Sequence, residues 1–203
     1  MPAGTLYFGE TTLVMGVLNA TPDSFSDGGL YASPELATER AAKMVAEGAQ
    51  IIDIGGESTR PGAASVSIQE ELRRVIPVVE ALKRANPEVV LSVDTTKSVV
   101  ARAAIDAGAE MINDVSGLRF DPRLGEEVAR AGVGLVLMHS RGSVLQQMHG
   151  LEPVIDIKSE VSAALRRSVT AAERSGVSAP PSRLIRDLDL AKVRNRTCGC
   201  SPT

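Results

Sequence analysis

A chain of 203 residues with 43% hydrophobic side chains is long enough for one domain with a sizeable core. At 2% aromatics that core must rest on Val, Ile, Leu and Ala, which suits parallel strands buried on both faces. The formal net charge of −3 supplies no basic field, which argues against nucleic acid as a partner.

No apolar stretch reaches the ~20 residues needed to span a bilayer. The opening Met1-Pro2-Ala3-Gly4 has neither region of a signal peptide. Cys198 and Cys200 lie in the last six residues, with one residue between them. They suit neither a disulfide framework nor a four-ligand zinc site. A cytoplasmic protein without membrane attachment is expected.

Strand-like and helix-like segments alternate along the chain. An apolar run, Leu13 to Leu18, stops at Asn19 and is followed by a loop rich in Asp, Ser, Pro and Gly. Ordinary connections of this kind run about 2–6 residues, so this one is long for mere linkage. Ser33-Pro34 reads as an N-cap with Pro at the first helical position. Ala37, Ala41, Met44, Val45 and Gly48 continue as a helical stripe. Ile51 to Ile54 is the second strand, followed by Gly55-Gly56-Glu57-Ser58-Thr59-Arg60-Pro61-Gly62. Ser67 and Glu70 form a capping box, and Leu72, Val75, Ile76, Val79 and Leu82 give that helix its apolar face. Val89 to Val93 is the third strand, ending at Asp94; Lys97 to Ala107 is the third helix, closed by Gly108. Met111-Ile112 is a short fourth strand before Asn113-Asp114. Asp121-Pro122 opens a fourth helix that Gly132 ends. Val133 to Met138 is the fifth strand, ending at His139. A fifth helix is expected between Pro153 and Ser175, and Leu184-Ile185 opens a sixth strand.

Repeated strand–helix units imply parallel strands with right-handed crossovers. Two α/β architectures compete, an open doubly wound sheet and a (β/α)8 TIM barrel. Polar residues recur at successive strand ends: Asn19, Asp53, Asp94, Asn113 and His139. In a barrel those ends converge on one mouth, whereas an open sheet spreads them along an edge. No Gly-x-Gly-x-x-Gly follows the first strand, which weakens a dinucleotide reading.

By residue type, Asn19 offers a hard amide oxygen for Mg²⁺, although Asn is common where strands end. Asp94 offers two acceptors in parallel and Asn113 a donor with an acceptor, a match for a heterocycle edge. Either residue also suits a helix cap, Asp94 especially because Thr95-Thr96 follows. Arg60, in its glycine-flanked loop, has the forked geometry that recognises phosphate or carboxylate. A solvated surface arginine is the plainer alternative. His139 has the chemistry of an acid, a ligand or a satisfied core histidine.

Four stretches resemble dihydropteroate synthase, a folate-pathway family. They are Asn19-Ala-Thr-Pro-Asp-Ser-Phe-Ser-Asp-Gly-Gly, Ile52-Asp53-Ile54-Gly55-Gly56-Glu57-Ser58-Thr59-Arg60-Pro61-Gly62, Leu91-Ser92-Val93-Asp94-Thr95-Thr96-Lys97 and Ile112-Asn113-Asp114-Val115-Ser116-Gly117. They fall in the family's order, and the likeness runs from about Leu13 to about Gly176. The resemblance implies a (β/α)8 barrel that joins 7,8-dihydropterin-6-ylmethyl diphosphate to p-aminobenzoate, giving 7,8-dihydropteroate and diphosphate. It implies that Asp94 and Asn113 hold the pterin, with Met138 lining its pocket. Asn19 would take the Mg²⁺ that accompanies the diphosphate, and Thr59 would contact the diphosphate substrate. Phe25 and Asp27 of the first loop, with Ser58, Thr59, Arg60 and Pro61 of the second, would close over the substrate and build the p-aminobenzoate site. Asp27 and Arg60 are the implied catalytic pair. A sulfonamide would mimic p-aminobenzoate, and family members are often homodimers.

The likeness stops near residue 185. The family's Asp-Pro-Gly and Gly-Phe-Gly-Lys segments, its seventh-strand lysine and its late Arg-Val-His have no counterpart here. The expectation is therefore a barrel domain of five to six βα units over residues 1–185 and a tail over 186–203. A shifted reading frame past Leu184 would produce such a tail; translating the gene's other two frames tests it, and the idea fails if neither restores the missing motifs. Two other readings accompany the synthase. One is a pterin-binding fragment without catalysis; the other, opposed by the Ser-Thr-Arg-Pro-Gly loop, is a pterin-binding methyltransferase domain.

Overall fold

The computed structural model describes residues 12–21, 33–58, 65–140 and 156–177, and the backbone of 184–187. Within them the strands are β1 (Met15–Asn19), β2 (Ile51–Gly55), β3 (Val90–Asp94), β4 (Met111–Asp114), β5 (Gly134–Met138) and β6 (Leu184–Asp187). The helices are α1 (Pro34–Ala46), α2 (Ile68–Ala85), α3 (Ser98–Asp106), α4 (Arg123–Ala131) and α5 (Ile157–Arg174). Every strand pairs in parallel with the next strand in the chain, in the order β1-β2-β3-β4-β5-β6. A doubly wound sheet reverses its order at a switch point. The unbroken order here is that of a barrel wall.

The apolar side chains of the strands form two separate clusters, one on each face. Leu18, Ile52, Ile54, Leu91, Val93, Ile112, Leu135 and Leu137 face the helices and pack against Val75, Val79, Leu82, Ala101, Leu124, Val128 and Ala172. The alternate residues Met15, Ile51, Val90, Met111 and Val136 form a separate, smaller cluster on the inner face. Each fully buried aliphatic side chain contributes about 1.5–3 kcal/mol, so the helix-side core dominates stability.

Local signals fix the helix ends. Ser33 Oγ accepts from Leu36 N and Ser67 Oγ from Glu70 N, each at 3.2 Å, while Asp156 caps α5. The Glu70 carboxylate accepts from Arg74 Nε at 2.9 Å, so its main partner lies one turn on, not back at Ser67 as in a full capping box. Gly132 ends α4 in the left-handed region, at φ 67°. The N-cap position of α3 is Lys97, whose side chain makes no cap bond. That helix begins at Ser98, whose N–H donates to Asp121 Oδ2 at 2.9 Å from the loop after β4. Among the described residues, no helix is long and apolar enough to cross a membrane.

Candidate active site

The parallel register aligns the strand ends. Asn19, Gly55, Asp94 and Asn113 occupy one row across β1 to β4. One pleat deeper, Val17, Asp53 and Ser92 form the next row. Since Ile52 and Ile54 face the helices, Asp53 shares the inner face with Ile51. Asp53, Ser92 and Asn113 are all buried, and Asn113 Nδ2 donates to Asp53 Oδ2 at 3.0 Å. Burial pushes the Asp53 carboxyl above the ordinary carboxylate range, while the neighbouring Ser92 hydroxyl and the Asn113 amide oppose the shift. Ser92 stands close enough to act on that charge. Yet neither its Oγ nor Asp53 Oδ1 completes a hydrogen bond among the described residues. Natural interiors rarely leave two such atoms orphaned side by side without a ligand or water to take them.

Gly55 shapes the mouth by leaving a notch. A Cβ there would stand 3.8 Å from Asn19 Oδ1 and 3.9 Å from Asp94 Cβ. Asn19 is exposed beside that notch, and Asp94 is half-buried. Mg²⁺ commonly takes one or two protein oxygens and fills its octahedron with water and substrate phosphate. A single amide oxygen at an open notch fits that mode. The described residues hold no group of three or more His, Cys, Asp or Glu for a closed all-protein cage.

The loop after β4 is built by Asp114. Its Oδ1 accepts from Ser116 N at 2.7 Å and its Oδ2 from Leu118 N at 2.6 Å. Burial raises its carboxyl, against the pull of those bonds. The turn carries Gly117 at φ 63° and Leu118 at φ 64°. Met138 lies on the inner face with Val136 and also borders a cavity of about 270 Å³ between the β4 and β5 ends and α5, with Ser116, Arg119, Arg167 and Ser168. His139 is half-buried and its Nε2 lies 3.3 Å from Glu160 Oε1, which fits a satisfied histidine.

Of the residues expected in the site, Asn19, Asp94, Asn113 and Met138 gather at the strand ends, and Ser58 lies half-buried just past β2. Phe25, Asp27, Thr59, Arg60 and Pro61 lie outside the described residues. Asp53 stood out as a strand-end polar residue but carried no assigned role. Its signal was a lone carboxylate in the apolar run Ile51 to Ile54, on the face opposite the helices.

Residues 15–195 match the family model described as "Pterin binding enzyme". Dihydropteroate synthase of Synechocystis sp. is 45% identical over 189 residues, 92% of this chain and 64% of that protein. The structure of Xanthomonas albilineans dihydropteroate synthase with 4-aminobenzoic acid aligns with TM-score 0.76 and 46% identity, covering 86% of this chain and 60% of that one. That of Burkholderia cenocepacia dihydropteroate synthase complexed with 7,8-dihydropteroate aligns with TM-score 0.73 and 42% identity, covering 87% and 58%. The chain thus spans about 58–64% of the length of these proteins.

Proposed function

Because this chain belongs to the pterin-binding enzyme family, we propose that its function is that of a dihydropteroate synthase. The reaction joins 7,8-dihydropterin-6-ylmethyl diphosphate to p-aminobenzoate. The methylene C–O bond breaks, diphosphate leaves with the electron pair, the arylamine nitrogen bonds to that carbon, and the amine releases a proton. The names of the similar proteins, and the 4-aminobenzoic acid and 7,8-dihydropteroate in two of their structures, support this reading.

The observation that carries it is the inner-face pair Asp53 and Ser92 one row beneath Asp94 and Asn113, with two buried oxygens left without partners among the described residues. A pterin's amino group and ring nitrogens supply the donors and acceptors that this group lacks. Asp94 and Asn113 grip the ring edge, Asp53 and Ser92 meet it from below, and Met138 packs on it. Thr59 contacts the diphosphate. Phe25, Ser58 and Pro61 hold the p-aminobenzoate ring. Arg60 and Asp27 close over the reacting carbon; Arg60 neutralises charge growing on the departing diphosphate, and closure keeps water from that carbon. Asn19 would hold Mg²⁺, which would supply further charge neutralisation at the diphosphate when bound. A cytoplasmic setting and competition by sulfonamides complete the reading.

The test is turnover by the 203-residue chain. With both substrates and Mg²⁺, dihydropteroate is expected by liquid chromatography, and Asp94→Ala should lower its rate by at least about a hundredfold, as loss of a charged anchor does. Pterin binding without product from folded chain would reduce the reading to a binding fragment. Absence of both would remove it.

A further inference from the structure

A second polar cluster lies behind the mouth, and the reaction above does not use it. Lys97, three residues past Asp94, donates through Nζ to Glu57 Oε2 and to Glu71 Oε2. Glu71 is only 1% exposed, on α2, and its other oxygen accepts from Thr95 Oγ1 at 2.6 Å. Glu57 closes its own loop as well, since its Oε1 accepts from Val66 N at 3.2 Å. Arg74 of α2 donates to Gly56 O at 3.0 Å. Gly56 sits so close to α2 that a Cβ would lie 2.6 Å from Val75 Cγ2. These contacts join the end of β2, the end of β3 and α2 around a single ammonium.

We propose that Lys97 is a positioning residue, which fixes the stem Glu57-Ser58 after β2 against the strand end that carries Asp94. The cluster divides into two parts with different tasks. Glu71 and Thr95, 1% and 3% exposed, are almost fully enclosed and anchor the partly exposed lysine to the scaffold. The Lys97–Glu57 part reaches the loop stem and transmits that position to Ser58. Burial pushes the Lys97 ammonium down, but its hydrogen bonds and attraction to Glu57 and Glu71 outweigh that and hold it above its ordinary value. The lysine therefore stays charged at any pH at which the protein works. This inference rests on the synthase reading for its ligand: Ser58 serves the p-aminobenzoate side and Asp94 the pterin side, so Lys97 sets the spacing between the two subsites.

Glu57→Gln separates the tasks, because Glu71 keeps Lys97 paired and the fold intact. Titration calorimetry of that variant is expected to weaken p-aminobenzoate about tenfold, the scale of one charge-assisted hydrogen bond. Pterin binding at Asp94 should stay within about twofold, as for a site that does not share the contact. Amide hydrogen exchange at Ser58 and Val66 should quicken by about tenfold. Lys97→Gln should do the same with a lower Tm, and Lys97→Arg should restore most of the exchange protection. Equal weakening of both ligands, or unchanged exchange at Ser58 and Val66, would overturn the proposal. If wild-type chain binds neither ligand, the synthase reading falls, and the exchange comparison alone then judges the positioning role.

Discussion

At the scale of single residues, the inner face of this sheet places chemistry where apolar packing would be more stable. Asp53 is 4% exposed, with one oxygen bonded to Asn113 and the other without a partner among the described residues. Its carboxyl is raised by burial, so the folded state holds the proton more tightly than the unfolded one. The sign follows from linkage. The contribution favours folding below the ordinary carboxylate pKa and is lost as pH rises through the raised folded value. Asp53→Asn keeps an acceptor for Asn113 and removes the buried charge. The variant is expected to be more stable than wild type at pH 8, by about 1 kcal/mol, the low end for an unsatisfied buried polar group. That advantage should shrink on acidification. Thermal unfolding at several pH values checks it. Pterin affinity should fall in the same variant, the trade of stability for function that site residues show.

At the scale of elements, helix ends are fixed partly by neighbours in sequence and partly by neighbours in space. Ser33 and Ser67 cap their own helices, and both were legible because the bond closes over three residues. The cap of α3 was not. Asp121 serves Ser98 from 23 residues away, and no short window reveals it. Burial would raise the Asp121 carboxyl, but bonds from Ser98 and Arg123 outweigh that and leave it lowered. Its contribution is present above the ordinary carboxylate pKa and fades as pH falls through the lowered value. Asp121→Ala should cost about 1 kcal/mol at pH 7, as cap removal does. Denaturant titration should show that cost shrinking at acid pH. Gly117→Ala is expected to be harsher. Its Cβ would meet Ser168 Oγ at 2.5 Å and Met138 O at 2.9 Å, at a backbone φ of 63°. A loss of about 2–4 kcal/mol, from overpacking plus the left-handed backbone, should appear as a lower Tm.

At the scale of the whole molecule, the sheet runs from β1 to β6 in chain order, and among the described residues β1 pairs on one side only, with β2. Val14 and Val17 are 50% and 55% exposed at this border. An exposed apolar edge strand invites pairing with other chains, and lysine on an edge is a common natural defence. Val14→Lys should therefore lower concentration-dependent light scattering during refolding while leaving the Tm nearly unchanged, within about 0.5 kcal/mol of stability.

The amino-acid order by itself determined the alternation of strands and helices and the polar residues that close the strands. Both are written in local periodicity, with apolar runs of strand length cut off by Asn19, Asp94 and Asn113. The four ordered motifs carried the family in the same way. Tertiary structure alone decided which polar groups meet. Asn113 reaches Asp53 across 60 residues, and Lys97 reaches Glu57 and Glu71 across 40 and 26. Those separations are set by how many residues each crossover helix needs, and sequence spacing carries no trace of the distance it spans in space. Parallel strands need such crossovers to come into register. Only once they do so does a lone carboxylate in an apolar strand acquire an amide partner, and a loop-stem glutamate its lysine.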